Sequence, residues 1–327
     1  MRQLVSVSGL TVHYSRADGT EIPAVNNVSF EIAVGEVLGL VGESGCGKST
    51  LALSLLRLMP GAGRILGGSI LFRGLDLLKL DENRLQKVRG AEISMIPQEP
   101  AITLNPVLRV GDQIAEVVRA HMPWSRERSR QEAMVILEEA GLANANRIYA
   151  AYPHQLSGGQ RQRVVIGQAI ACRPALIIAD EPTTALDLAL QADILLLFKR
   201  LKDRLHTAFL LISHDPLIFA NLADRVMVMY AGRIVEEGLG DKIFKNALHP
   251  YTQGLLRCLS GISGKNKSIR KEPLPVIPGS PPDPVNLPYG CSFNPRCAEK
   301  MDVCVTRPPE RVEAEAMHSV RCFIYGG

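Results

Sequence analysis

A glycine-rich loop between an apolar strand and a helix constrains this chain more than any other feature of its sequence. Residues 42–49 read GESGCGKS and fit the pattern G-x-x-x-x-G-K-[ST]. The preceding segment EVLGLVG is apolar like a buried strand, and Lys48–Leu58 places leucines at helical spacing before Pro60. Strand, glycine loop and helix in this order predict a phosphate-binding site in an α/β fold.

The chemistry of such a loop assigns a task to each of its positions. Its glycines let backbone N–H groups turn onto the phosphates, and the helix N-terminus adds the positive end of its dipole. Lys48 is expected to reach the β- and γ-phosphates, and Ser49 to ligate Mg²⁺. The same dipole acts to lower the pKa of a thiol at Cys46, but a small space-filling residue is the favoured interpretation of this position. The predicted ATP contacts in this segment are Gly42, Ser44, Gly45, Cys46, Gly47, Lys48, Ser49 and Thr50.

A second apolar strand ends in two carboxylates. Residues 175–181 read ALIIADE, so Asp180 and Glu181 stand at the carboxyl end of a buried strand. We expect Asp180 to support Mg²⁺ beside the phosphate loop, and Glu181 to act as the base that polarises the attacking water. Taken alone, such a pair is more often a helix N-cap followed by a solvated charge. The phosphate loop in the same chain favours the catalytic interpretation.

The segment LSGGQ, residues 156–160, forms a second anion site at a helix N-terminus. An ordinary N-cap with flexible glycines is the alternative, but one chain seldom needs two phosphate sites. LSGGQ between a phosphate loop and a strand ending in Asp-Glu resembles the signature of ABC ATPases. In that family the signature of one subunit covers the ATP held by the other. The resemblance implies contacts to the partner's ATP from Ser157, Gly158, Gly159, Gln160 and Asp187.

Four further segments resemble motifs of this family in the family's order. Gln98 resembles the Q-loop glutamine that touches Mg²⁺ or water and senses the transmembrane partner, and His214 resembles the switch histidine at the γ-phosphate. Residues 184–187, TALD, resemble the D-loop at the subunit interface, and Tyr14 resembles the aromatic residue that stacks on adenine. The alternatives are a loop amide, a structural histidine, a helix N-cap and a core tyrosine. The resemblance spans about residues 4–250 and no catalytic element is missing. It implies ATP and Mg²⁺ as cofactors, catalytic roles for Glu181, His214 and Gln98, and Mg²⁺ contacts from Ser49, Gln98 and Asp180.

The end of the chain carries its own pattern. Residues 249–256 read HPYTQGLL, and after a Pro-rich stretch residues 291–297 read CSFNPRC. This resembles the C-terminal extension of ATPase subunits from oligopeptide, dipeptide and nickel ABC importers. Zinc knuckles favour C-x₂₋₄-C spacings and none occurs here, so a [4Fe–4S] cluster is expected, with Zn²⁺ or unmetallated thiols as alternatives. The expected ligands are Cys291, Cys297, Cys304 and Cys322.

The expected fold is an α/β P-loop NTPase of the ABC type with an antiparallel β subdomain, a helical subdomain and a small C-terminal Cys-rich extension. The alternation of helical and apolar strand segments after residue 158 independently predicts a parallel sheet. We expect an ABC ATPase domain over residues 1–258, with its helical subdomain at about 100–155. A linker and the extension follow over 259–327, with Pro, Gly, Ser and Lys enriched in residues 261–288.

Composition excludes several other classes of protein. Of 327 residues, 46% are hydrophobic and 21% are charged, as in a globular chain, and a net charge of +4 without a Lys/Arg run gives no nucleic-acid surface. No apolar stretch approaches the length of a bilayer span, and the N-terminus lacks a secretory signal.

The resemblance therefore implies a peripheral ATPase on the cytoplasmic face of the membrane. It would pair with a second ABC ATPase subunit, identical or different, and dock on two permease subunits that are served by an extracytoplasmic solute-binding protein. ATP hydrolysis would drive uptake of di- or oligopeptides. The alternatives are the same machine for nickel or another solute, a soluble non-transport ABC ATPase, and a redox-responsive regulatory ATPase.

Overall fold

The computed structural model describes residues 2–184, 186–263 and 275–326. Ala185 of the predicted D-loop and residues 264–274 of the predicted linker lie outside the described residues. The strands of the described chain are β1 Gln3–Ser15, β2 Glu21–Ala33, β3 Val37–Val41, β4 Gly63–Phe72, β5 Leu75–Asp76, β6 Ile93–Ile96, β7 Leu176–Asp180, β8 Ala208–Ser213, β9 Arg225–Tyr230, β10 Arg233–Leu239, β11 Val312–Glu315 and β12 His318–Val320.

Its helices are α1 Lys48–Leu55, α2 Glu82–Val88, α3 Pro100–Thr103, α4 Val110–His121, α5 Arg126–Glu139, α6 Ala145–Ala150, α7 Gly158–Ile170, α8 Leu188–Leu205, α9 Gly240–Lys245 and α10 Pro250–Ser263. Over these described segments, no helix combines the length and the apolar character that crossing a membrane requires.

The chain divides into two compact units that interleave along the sequence. The first unit comprises Met1–Val5, Ile32–Val37 and Phe72–Ile212, and the second comprises Ser6–Glu31, Leu38–Leu71 and Ser213–Gly327. The predicted domains, 1–258 and 259–327, are defined by sequence motifs and not by contacts between residues. Their boundaries therefore remain a prediction.

The first unit carries three parallel strands and most of the helices. Strand β7 lies between β6 and β8, with Ile93 opposite Leu176 and Leu176 opposite Ala208. Every residue of β7 and β8 is buried, as parallel strands covered on both faces require. Helices α3 to α6 occupy the segment predicted to be helical. The parallel sheet and the helical insertion are therefore confirmed.

The second unit is built around β3, which pairs in parallel with β9. Strands β9 and β10 form a hairpin whose two-residue turn, Ala231 and Gly232, has φ angles of 45° and 78°. Positive φ at both positions is typical of the tight turns that match strand twist. Within this unit the long strands β2, β1 and β4 lie side by side in that order.

Strands near the C-terminus extend the sheet of the second unit. Strand β12 pairs antiparallel with β10, and β11 pairs with β12. The buried carboxylate of Glu236 on β10 accepts the N–H groups of Leu248 and His249 at 2.7 and 2.9 Å, and lies 2.8 Å from Nε2 of His318 on β12. Because a buried carboxylate is stable only when its oxygens are paired, Glu236 fixes the chain end to the sheet.

Helix α1 is shorter than predicted. It begins at Lys48, as expected, but ends at Leu55 rather than Leu58. Arg57 adopts φ 51°, and the N–H of Leu58 turns back to the carbonyl of Leu53 at 2.9 Å. This reversal closes the helix one turn early, because a left-handed residue redirects the chain away from the helix axis.

Candidate functional site

The phosphate loop, residues 42–47, joins β3 to α1 in the second unit. Gly45 and Gly47 have φ angles of 78° and 108°, which side chains rarely adopt. A Cβ on Gly47 would lie 2.1 Å from the carbonyl oxygen of Ala24, and one on Gly42 would lie 2.3 Å from that of Met229. The close approach of neighbouring backbone therefore explains why glycine stands at both positions.

Lys48 lies against the loop that precedes it. Its side chain is buried, and Nζ donates to the carbonyls of Gly42 and Glu43 at 2.8 and 3.0 Å. Ser49 follows on the first turn of α1 and is exposed. The ammonium group is thus held over the loop by groups that a phosphate could replace.

Tyr14 lies beside the same helix. Its hydroxyl is 3.4 Å from Oγ1 of Thr50, and its ring stands 2.7 Å from where a Cβ on Gly63 would lie. The structure therefore brings Tyr14 to α1, while its contact with adenine stays a prediction. His214, also in the second unit, follows β8 and is exposed.

Cys46 agrees with the favoured interpretation, a space-filling residue, and not with the lowered thiol pKa that the helix dipole suggests. Cys46 is 7% exposed, and burial raises the pKa of its thiol. The Lys48 ammonium, 3.9 Å from the sulfur, acts in the opposite direction without overcoming that burial. Because the thiolate is the reactive form, Cys46 is a packing residue rather than a reactive thiol.

The acidic pair ends β7 in the first unit. Asp180 is 4% exposed, and the next residue, Glu181, has φ 47°. Such a φ is uncommon for a residue with a side chain and persists where the surrounding structure fixes the backbone. Oε2 of Glu181 accepts from Nε2 of Gln98 at 3.4 Å and from the hydroxyl of Thr184 at 2.8 Å. Two of the predicted catalytic residues, Gln98 and Glu181, therefore meet.

The signature segment, Leu156–Gln160, opens α7 in the first unit. Ser157 is the N-cap: its Oγ accepts the N–H of Gln160 at 3.3 Å, and Gln160 Oε1 accepts the N–H of Ser157 at 3.0 Å. Ser157 and Gly158 are exposed. Ser157 and Gly158 thus stand at a capped helix N-terminus on the surface of the unit, and the following Gly159 is buried.

The predicted D-loop approaches this segment. Asp187 caps α8 by accepting the N–H of Leu190 at 2.9 Å, and a Cβ on Gly159 would meet the side chain of Leu190 at 3.1 Å. The structure therefore brings together the two segments for which contacts with a partner subunit were predicted.

The four cysteines of the extension are free thiols. The N–H of Cys291 donates to the carbonyl of Cys304 at 2.8 Å. Burial, together with the smaller effect of the charges of Cys304, Cys322 and Cys297, raises the pKa of Cys291 to about 11. Within the described ranges, however, no group of three or more His, Cys, Asp or Glu side chains is arranged to hold a metal ion. The expected metal-binding group is therefore not supported by this arrangement.

Sequence reasoning missed Glu43, which occupies a position where the loop pattern allows any residue. Its N–H donates to the hydroxyl of Tyr251 at 2.8 Å. Its carboxylate accepts two hydrogen bonds, at 2.7 and 2.9 Å, from Nη1 and Nη2 of Arg296. Because 253 positions separate these partners, no local pattern could reveal the contact. The only sequence feature that points to this contact is Arg296 itself, which stands between Cys291 and Cys297.

Two family models match this chain. One is described as "ABC transporter" and matches residues 25–184, and the other as "Oligopeptide/dipeptide transporter, C-terminal region" and matches residues 235–304. The second match contains three of the four cysteines of the extension and ends before Cys322.

Similar proteins extend over almost the whole chain. The oligopeptide transport ATP-binding protein AppD of Bacillus subtilis is 45% identical over 99% of this chain and 98% of its own length. OppD of Escherichia coli, another oligopeptide transport ATP-binding protein, is 44% identical over 94% and 89%. A putative peptide import ATP-binding protein of Brucella abortus is 49% identical over 94% and 90%.

A solved structure shares the fold. The ATP-binding cassette MJ0796, determined as a dimer in a post-hydrolysis state bound to ADP and Pi, is 28% identical, with a TM-score of 0.65 over 72% of this chain and 98% of its own. The predicted ABC fold is confirmed. Together with its phosphate loop, its signature segment and its C-terminal region, these similarities show that the chain belongs to the ABC-type ATPases that form the ATP-binding subunits of the oligopeptide/dipeptide transporter family.

Proposed function

We propose that this chain hydrolyses ATP to drive the import of di- or oligopeptides through membrane permease subunits. One observation carries the proposal: an ABC phosphate loop and an oligopeptide-transporter C-terminal region occur in one chain that matches peptide-import ATPases nearly end to end. The chain would work at the cytoplasmic face of the membrane and serve an extracytoplasmic solute-binding protein indirectly. Nickel or another solute is the alternative cargo.

In the second unit, the phosphate loop would bind the triphosphate. The loop presents its backbone N–H groups and the start of α1, while Lys48 would exchange its contacts with Gly42 and Glu43 for the β- and γ-phosphates. Tyr14 would stack on adenine, since its ring lies beside α1. His214 would contact the γ-phosphate.

Mg²⁺ would be held by Ser49 and Asp180, with Gln98 touching the ion or its water. A hydroxyl, a carboxylate and an amide provide the oxygen donors that this ion prefers, and Asp180 is a buried carboxylate at a strand end. When bound, Mg²⁺ would neutralise the negative charge that develops on the transferred phosphoryl group.

Glu181 would take the proton from the attacking water. Its carboxylate is positioned by Gln98 and Thr184, so the base is held in one orientation before the substrate arrives. A carboxylate fixed in this way contributes to the rate because it needs no reorganisation during the reaction.

A second ABC ATPase subunit would complete the site. Ser157 and Gly158 are exposed at the start of α7, and Leu188, which follows Asp187, is 84% exposed. An apolar side chain that is so widely exposed to water, next to a capped helix, favours a protein partner at this surface. MJ0796 is described as a dimer, and the same arrangement is proposed for this chain.

The permease would dock on the first unit. A cavity of about 550 Å³ lies among β6, α4 and α7, and its lining includes Asn105, Gln113 and Gln168. Near it along the chain, Ile102 and Val107 expose 79% and 75% of their surfaces. Exposed apolar residues beside a groove lined by both polar and apolar side chains suit an amphipathic permease segment.

We also propose that Cys291, Cys297, Cys304 and Cys322 hold a structural [4Fe–4S] cluster, with Zn²⁺ as the alternative. The Cys291 N–H donates to the carbonyl of Cys304 at 2.8 Å, and the charges of Cys304, Cys322 and Cys297 raise the pKa of the Cys291 thiol, which supports a shared neighbourhood. The four thiolates would be the ligands of the cluster irons, and the close C-x₂₋₄-C knuckles that zinc sites favour do not occur among them. Binding would release thiol protons, because burial raises the pKa of Cys291, Cys297 and Cys322.

One experiment tests these proposals together. The chain is co-expressed with its permease, purified without oxygen, analysed for iron and sulfide, and assayed in vesicles for ATP-driven uptake of a peptide panel. We expect permease co-purification, about four irons per chain and peptide uptake. Absence of the permease together with ATPase activity indifferent to membranes would refute the importer, and zinc without iron would select the alternative metal.

A further inference from the structure

Glu43 in the phosphate loop is held at each of its polar groups. Its N–H donates to the Tyr251 hydroxyl at 2.8 Å, its carbonyl accepts from Lys48 Nζ at 3.0 Å, and its carboxylate accepts both arms of the Arg296 guanidinium. Two of these three partners come from the region after residue 250, and all belong to the second unit.

Arg296 is itself fixed by its surroundings. Its side chain is 5% exposed, Nε donates to the carbonyl of Pro278 at 2.9 Å, and Nη1 lies 3.3 Å from the Tyr230 hydroxyl. The ring of Phe293 packs on Tyr230 and Tyr251 at centroid distances of 5.2 and 5.4 Å. A planar guanidinium with these partners has little freedom, so it presents a rigid fork to Glu43.

The pair also removes a charge conflict. The Glu43 side chain is 23% exposed and lies in the loop that receives an anionic triphosphate. An unpaired carboxylate there would repel the phosphates, most strongly where water is partly excluded. The Arg296 guanidinium cancels that charge at hydrogen-bonding distance.

We propose that Arg296 and Tyr251 are positioning residues for ATP: they hold the phosphate loop in its binding shape, and Arg296 neutralises Glu43. The C-terminal extension would then be a working part of the nucleotide site. This inference rests on ATP binding alone and stands whether the transported solute is a peptide or not.

The first test compares two arginines of the extension in the full-length chain. Arg296→Met should weaken ATP binding about tenfold and raise the KM for ATP more than it lowers kcat, because charge-assisted pairs of this kind are worth about one decade. Arg311→Met is the matched control: Arg311 pairs with Glu237 at 2.7 Å and contacts Ser29 and Ser319 instead of the loop. It should leave the KM within about twofold.

Melting temperatures of both variants separate this effect from a general loss of stability. Equal losses of ATP affinity in the two variants, or unchanged affinity in a folded Arg296→Met protein, would overturn the proposal. Should Arg296→Met fail to fold, Arg296→Lys keeps the charge but loses the fork, and an affinity reduced by a few-fold is expected. Wild-type affinity in Arg296→Lys would exclude the bidentate geometry as the cause.

The second test isolates the charge. Glu43→Gln combined with Arg296→Met should bind ATP more tightly than Arg296→Met alone, since the uncompensated carboxylate is gone. A double variant as weak as the single one would show that charge neutralisation has no part in the effect.

Discussion

His249 is buried as a neutral imidazole. Its Nδ1 accepts the N–H of Tyr251 at 3.0 Å, which only the neutral ring can do. Burial lowers the pKa of His249 from 6.5 to about 4, against the opposing charge of Glu236. The folded state therefore resists protonation at a pH where the unfolded chain accepts a proton readily.

This difference predicts a pH-dependent stability. Above pH 6.5 His249 is neutral in both states and the folded state keeps its full stability; below it the unfolded chain gains the proton first, so stability falls as the pH approaches 4. Between pH 7.5 and 5 the loss from this residue should be about 2 kcal/mol. Urea unfolding of the wild type and of His249→Asn measures it, because the variant lacks this contribution. If the unfolding free energy of the two proteins changed equally with pH, His249 would not be the source of the pH dependence.

Glu181 gives a prediction about catalysis. Glu181→Gln keeps the size of the side chain but removes its ability to accept a proton, so ATP turnover should fall at least about 100-fold while ATP binding persists and the ATP-bound dimer accumulates. Turnover and size-exclusion chromatography with ATP measure the two effects. Glu138→Gln, an exposed residue of α5 in the same unit, is the control and should keep full activity. Normal ATP turnover in the Glu181→Gln variant would show that Glu181 is not the catalytic base.

Helices α5 and α7 offer a matched pair of N-caps. Ser125 and Ser157 each accept an N–H at 3.3 Å from the third residue of the helix. Replacing either serine by Ala should cost about 1 kcal/mol of unfolding free energy. Only Ser157→Ala should also reduce ATPase activity strongly, because only Ser157 is proposed to contact the partner's ATP. Unfolding curves and steady-state ATPase rates of the two variants measure these effects. Equal ATPase activity in the two variants would contradict the proposed contact of Ser157 with the partner's ATP.

The elements that could be predicted from the sequence are those with a local cause. The β9–β10 hairpin follows from Ala231-Gly232 between apolar runs, and β7 and β8 follow from unbroken apolar segments. The end of α1 could not be predicted, because the helical spacing of leucines continues to Leu58, beyond Arg57, whose positive φ turns the chain. The raised pKa of the Cys46 thiol could not be predicted for a related reason, because the sequence shows a helix dipole but not the burial that opposes it.

For the molecule as a whole, the end of the chain contributes to the core of the second unit. Phe293 and Val320 are 3% and 1% exposed, and β12 continues the sheet beside β10. A chain ending at residue 258 should lose about 3–6 kcal/mol of unfolding free energy from these two side chains alone, and bind ATP more weakly. Removal of residues 325–327 only is the control, since Tyr325 is 37% exposed. Full ATP affinity in the chain of 258 residues would show that the phosphate loop needs no help from the extension.

The ion pair between Glu43 and Arg296 also limits how this protein can be recombined with its relatives. A chimera that takes its cassette from one ATPase and its C-terminal extension from another inherits the two positions from different parents. Such a hybrid can carry every ATP-binding motif intact and still place an uncompensated charge in its phosphate loop. Positions 43 and 296 should therefore be exchanged as one unit, even though 253 positions lie between them.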